Sequence, residues 1–207
     1  MVQRIFSRNV GLRRAGYDTN TCVKNQPTTR ERLISTGTSV FADNGYRGAA
    51  VRDICNLASV NPGAISYHFG GKRQLYRAVL RAAVDHLSSL ARQASGERGR
   101  LGLRDGFIAV EGEIKNGSEG TRLLLRDIAE GGQLALEALS PALKELRNAF
   151  AKAHGAGDDP ALQRHLKAYV LGLAAPLLLS AAAWPILEQT LGVDEEDRTA
   201  MFDKAWQ

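Results

Sequence analysis

Between Val51 and Phe69 the sequence sets two short helical stretches across a turn too short to let them part. Val51–Ala58 carries Ile54 and Cys55, and Pro62–Phe69 carries Ile65 and Phe69. Pro62 falls at a first-turn position, where its missing N–H is tolerated. Helices of about two turns do not persist alone in water, so their apolar sides need a cover. The flanks supply it. Upstream, Thr28 and Glu31 have capping-box spacing, Leu33, Ile34, Val40 and Phe41 form an apolar face, and Gly45 offers a stop. Downstream, 72–93 reads as a long helix with Leu75, Val79, Ala83, His86/Leu87 and Leu90 in one stripe. Cys55 is small where the third helix must cross the second, and Val60 and Ile65 plug the space between them. With Ile54 and Phe69 they form the expected core.

The rest of the chain follows the same period. No strand alternation and no fixed-period repeat occurs, so the fold class is all-α. Ser95–Gly106 holds four glycines and five charged residues and reads as a boundary or hinge. Helices are expected over 104–116, 119–130 and 141–153, the last capped by Ser140 with Pro141 at its first position. An apolar helix follows over 160–191, kinked at Pro176 and Pro185, then a last helix over 194–206 with acids in its first turn. The expected organisation is an extension over 1–26, a three-helix domain over 27–94 that includes the connecting helix 72–94, and a helical domain over 95–207.

Hydrophobic residues at 44% and charged residues at 24% exclude wholesale disorder. Cys22 and Cys55 form no metal-ligand pattern, so neither a disulfide framework nor a metal or cofactor site is expected. The net charge of +5 is divided unevenly. Residues 1–95 carry 14 Lys/Arg against 5 Asp/Glu, and residues 96–207 carry 13 against 17. A basic half implies a polyanionic partner. The arginines of residues 1–26 precede no apolar run, and Gly11 and Gly16 break any amphipathic helix, so no secretory or transit signal is read and a cytoplasmic protein is expected. The stretch reads as a flexible basic extension, with an arm that touches DNA as the alternative. The uncharged run 168–187 has the length of a membrane span, but it is rich in alanine and interrupted by two prolines. A buried or subunit-interface helix is the preferred reading, with no membrane partner.

Two short helices around a tight turn inside a basic three-helix unit make a helix-turn-helix. Residues 28–80, and above all the stretch VNPGAISYHF (60–69) followed by GGK and a leucine, resemble the DNA-binding domain of TetR-family transcriptional regulators. The YHFGGK run, and more weakly TRLLLRDIAE (121–130), are similar to the CecR-like branch. The resemblance implies a dimeric, ligand-responsive regulator, most often a repressor. The sequence departs from the family pattern in two places. Ser59 stands where a turn glycine is usual, and Ala49–Ala50 stand where a Ser or Thr cap is common.

Docked in a major groove, the second short helix would place Asn61, Gly63, Ala64 and Ser66 nearest the base edges, with Ala64 able to meet a thymine methyl. Tyr67, His68 and Lys72 suit phosphates, and Arg47 and Arg52 flank the groove. The bland alternatives are a packed Tyr67, an exposed loop His68 and a solvated Arg47. In the second domain, Tyr169, Leu173, Leu177 and Trp184 are candidates for a homodimer interface or simply for core. Phe107, Ile108, Leu123, Leu124, Arg126 and Tyr169 are candidates to line a small-molecule effector pocket. Arg126 alternatively pairs with Glu130 at i+4, or with Glu111 or Glu113. His165 reads as partly exposed rather than as a ligand. The operator is expected to be near-palindromic double-stranded DNA. A helical adaptor that has lost DNA binding is the first rival. An enzyme is the second, and the chain has no GxGxxG, P-loop, HExxH or GxSxG motif to support it.

Overall fold

The computed structural model describes residues 27–96 and 99–153, with scattered positions between 189 and 200. Among the described residues all regular structure is helical: α1 (Thr29–Gly48), α2 (Val51–Leu57), α3 (Ala64–Phe69), α4 (Lys72–Ser95), α5 (Gly99–Asn116), α6 (Glu119–Ala129) and α7 (Gln133–Ala153). The extension 1–26, His165 and the interface candidates Tyr169, Leu173, Leu177 and Trp184 lie outside the described residues.

The capping box starts α1 as its spacing predicts. The Glu31 amide donates to Thr28 Oγ1 at 3.2 Å, and the Thr28 amide donates back to Glu31 Oε2 at 2.8 Å. That backbone bond, helped by the Thr28 hydroxyl, holds the Glu31 carboxyl below the usual carboxylate range. Gly45 interrupts α1 at φ 67°, ψ 175°, and the chain makes one more turn to Gly48. No other residue type suits this place. The conformation is left-handed, and a Cβ would stand 3.0 Å from the Arg126 guanidinium of α6.

α4 is the shared axis. Leu75, Tyr76, Val79, Leu80, Val84 and Leu87 are all buried, a stripe wider than the one read from the sequence. They join Leu33 and Phe41 of α1, Ile54 of α2, Ile65 of α3, Leu123 and Leu124 of α6, and Ala135 and Ala138 of α7 in a single cluster. Helices α1–α3 and the helices after α4 therefore share one core.

Three helix starts differ from the sequence expectation. α3 begins at Ala64 rather than Pro62, because Asn61 and Gly63 form a turn of their own ahead of it. α5 begins at Gly99, so most of the glycine-rich stretch expected to be a hinge is helix. Its glycines serve close packing: a Cβ at Gly106 would lie 2.9 Å from the Ala91 carbonyl oxygen, and one at Gly102 would collide with the Ser95 carbonyl. α7 begins at Gln133, which leaves Pro141 inside the helix instead of at its start. A proline there forfeits one backbone hydrogen bond, which eight preceding residues rich in Ala and Leu can carry. Its first turn is also held from outside, since the Ala135 amide donates to Asp127 Oδ2 at 3.1 Å.

Candidate nucleic-acid interface

The turn between α2 and α3 is a Schellman closure. The Val60 amide donates to the Cys55 carbonyl at 3.0 Å and the Ser59 amide to the Asn56 carbonyl at 3.0 Å. The residue at the left-handed position is Ser59, at φ 52°, the one positive-φ non-glycine among the described residues. Serine here therefore carries backbone strain that a glycine would avoid. From α1, Arg32 Nη1 donates to the Ala58 carbonyl at 3.2 Å, which satisfies an acceptor at the end of α2. At the other end of α2, Ala50 provides no side-chain cap. Cys55 is fully buried beneath the turn, with its thiol donating to the Pro62 carbonyl at 3.8 Å. Burial pushes this thiol up, so it stays protonated and packs as a small apolar group.

The turn presents α3 edge-on. Ile65 is 1% exposed and Val60 and Phe69 are half-buried, whereas Tyr67 is 85% exposed. Asn61, Gly63, Ser66 and His68 are exposed with it, and Ala64 is half-buried. The Asn61 side-chain carbonyl accepts the Gly63 amide at 2.8 Å. That contact fixes the side chain and leaves its NH2 group as the free donor, suited to a base-edge acceptor. The His68 ring stands edge-on to Tyr67 with centroids 4.9 Å apart. Arg30 of α1 lies 5.3 Å over the Phe69 ring. Arg47 and Arg52 are exposed and make no ion pair among the described residues.

Lys72 heads α4, whose first turn has no side-chain cap. Its ammonium sits 4.8 Å over the ring of Tyr46, a residue that sequence reasoning passed over. Tyr46 leans on Tyr76, with centroids 5.0 Å apart, and Tyr76 meets Phe41 edge-on at 4.8 Å. The Tyr76 hydroxyl donates to Asp127 Oδ1 of α6 at 2.8 Å. Burial, this hydrogen bond and the Asp127 charge push the phenol well above its ordinary range, so it remains a donor. The one signal for Tyr46 was its place just after Gly45, where a break in α1 turns the next side chain toward the start of α4.

The effector candidates are spread along α5 and α6. Phe107 is buried, Ile108 is 40% exposed, and Leu123 and Leu124 belong to the shared core. Arg126 pairs with Glu130 at 3.0 Å in the i, i+4 arrangement and covers Gly45. Glu113 instead faces His86, at 3.6 Å. Tyr169 lies outside the described residues. No helix among those residues is long and apolar enough to cross a membrane.

An exposed, basic-flanked helix presented by a tight turn on a three-helix core defines a helix-turn-helix DNA-binding protein. Residues 33–79 match the family model of bacterial regulatory proteins of the tetR family. The transcriptional activator FasR of Mycolicibacterium smegmatis is 31% identical over 166 residues, which cover 75% of this chain and 71% of that protein. The transcriptional repressor KstR2 of the same organism is 36% identical over 63 residues, 30% of this chain and 31% of its own. The crystal structure of a TetR-like transcriptional regulator from Rhodococcus sp. RHA1 superposes with a TM-score of 0.62 at 13% identity, covering 88% of this chain and 96% of that one. The chain belongs to the TetR family of transcriptional regulators and is a DNA-binding regulator.

Proposed function

We propose that this chain is a homodimeric, cytoplasmic repressor without enzymatic activity, released from a near-palindromic operator when a small molecule binds its carboxy-terminal helices. The observation that carries the reading is the outer side of α3, where Tyr67 is 85% exposed next to exposed Asn61, Gly63, Ser66 and His68. A large aromatic left uncovered on a two-turn helix has no packing purpose. In this reading Asn61, Gly63, Ala64 and Ser66 meet base edges, while Tyr67, His68, Lys72, Arg47 and Arg52 hold phosphates. Two copies would set their recognition helices about 34–36 Å apart in successive major grooves. The dimer contact is assigned to 160–206, including Tyr169, Leu173, Leu177 and Trp184. The effector is assigned to the space around Phe107, Ile108, Leu123, Arg126 and Tyr169.

A gel shift on DNA upstream of the protein's own gene tests the reading. Asn61→Ala and Ser66→Ala should change the preferred base, whereas Lys72→Ala should weaken all sequences alike. Uniform behaviour of all three would overturn the division between reading and positioning residues. The relative matched over most of the chain is named an activator and KstR2 a repressor. The sign is therefore tested by deletion, and a target reporter that falls rather than rises would reverse it.

A further inference from the structure

We propose that Tyr46 is a positioning residue for DNA binding, its ring holding the Lys72 ammonium at the edge of the recognition helix for a backbone phosphate. The inference rests on the phosphate role assigned to Lys72 above. A lysine is a point charge on a four-carbon stem, and docking it on DNA normally costs side-chain freedom. Here that freedom is already reduced, because the ammonium lies 4.8 Å from the Tyr46 ring centroid, within cation–π range. The ring itself is fixed. It packs on Tyr76 at 5.0 Å and on Phe41 at 6.4 Å. Tyr76 is in turn tied to Asp127 at 2.8 Å. Tyr46 is 36% exposed, so one face supports the lysine while the solvent side stays open to a ligand. The phosphate then completes a layer of ring, ammonium and anion over the uncapped first turn of α4. Holding the ammonium in place before DNA arrives lowers the ordering cost at binding.

The test is a salt titration of the full chain on a random-sequence DNA duplex, where binding is electrostatic and independent of the operator. Lys72→Ala should reduce the slope of log K against log salt by about 0.9 per protomer and affinity about five-fold per protomer near 0.15 M salt. Tyr46→Leu should lose affinity, by no more than Lys72→Ala does and at a nearly unchanged slope because the ammonium is still present, Tyr46→Phe should retain the parent values, and Tyr46→Leu with Lys72→Ala should be no weaker than Lys72→Ala alone. An unchanged slope in Lys72→Ala would overturn the phosphate role itself. A loss in Lys72→Ala without a loss in Tyr46→Leu would overturn the positioning role alone. A second measurement is independent of whether Tyr46→Leu folds. In lysine-labelled parent protein, the Lys72 ε-methylene resonance should be shifted upfield by the ring and stay so on the duplex. A resonance at the unperturbed position, free or bound, would refute the proposal.

Discussion

Replacing Ser59 with glycine should stabilise the protein without touching a DNA contact. Ser59 sits at φ 52° in a Schellman turn whose two backbone bonds are both made at 3.0 Å. An L-residue in this region costs about 1–2 kcal/mol relative to its right-handed alternatives. Glycine removes that cost but adds freedom to the unfolded chain worth about 0.5–1 kcal/mol. The side chain is exposed and makes no hydrogen bond among the described residues, so nothing else there is lost. The net gain should be about 0.5–1 kcal/mol, which at this chain length raises Tm by about 1–4 °C. Urea unfolding followed by circular dichroism should show a higher midpoint at unchanged m. Ser59→Ala is the control, since it keeps the Cβ and therefore the strain. If glycine stabilised no more than alanine did, backbone strain at position 59 would be refuted as a cost to the fold.

Other substitutions have expected outcomes as definite. Ala50→Thr should add a cap to α2 and about 1 kcal/mol of stability, seen as a shifted urea midpoint. Tyr76→Phe should cost about 1–3 kcal/mol by leaving Asp127 Oδ1 unpaired, and Asp127→Ala should cost more because it also frees the Ala135 amide. The Glu31 carboxyl is depressed in the folded state, so its contribution is complete at neutral pH and lost as pH falls through its folded value. Glu31→Gln should remove that acid dependence from thermal melts. Leu177→Glu should give a helical monomer by sedimentation that no longer binds operator, and a mutant that remains dimeric would move the interface away from 160–206.

What the sequence disclosed was governed by local chemistry. Thr28 with Glu31, the strained Ser59 and the uncapped Ala50 are one-residue or one-turn effects, and each was visible in a short window. The helices after α4 were less legible, because their limits depend on neighbours far along the chain. The glycines of 99–106 resemble a linker until Ala91 and Ser95 are seen against them. Pro141 resembles a helix start until Asp127 is found holding the turn around Ala135. Tyr46 escaped notice because its partner, Lys72, is 26 residues away and on another helix. A pattern of period 3.6 says which side of a helix is apolar, and nothing about which cation will rest on a given ring.

The way α4 is covered bears on how regulators of this kind could be recombined. A chimera that joins residues 27–95 to another protein's sensing module would strip Leu123, Leu124, Ala135 and Ala138 from the stripe that runs along α4. It would also strip Arg126 from Gly45 and Asp127 from Tyr76. The transplanted head would then carry an open apolar flank and a tyrosine hydroxyl without its acceptor. A workable crossover must bring α6 and the first turns of α7 along with the head, or else rebuild their contact surface in the recipient. For this molecule the exchangeable cassette is defined by who covers α4, and its edge falls well beyond the point where the recognition motif ends.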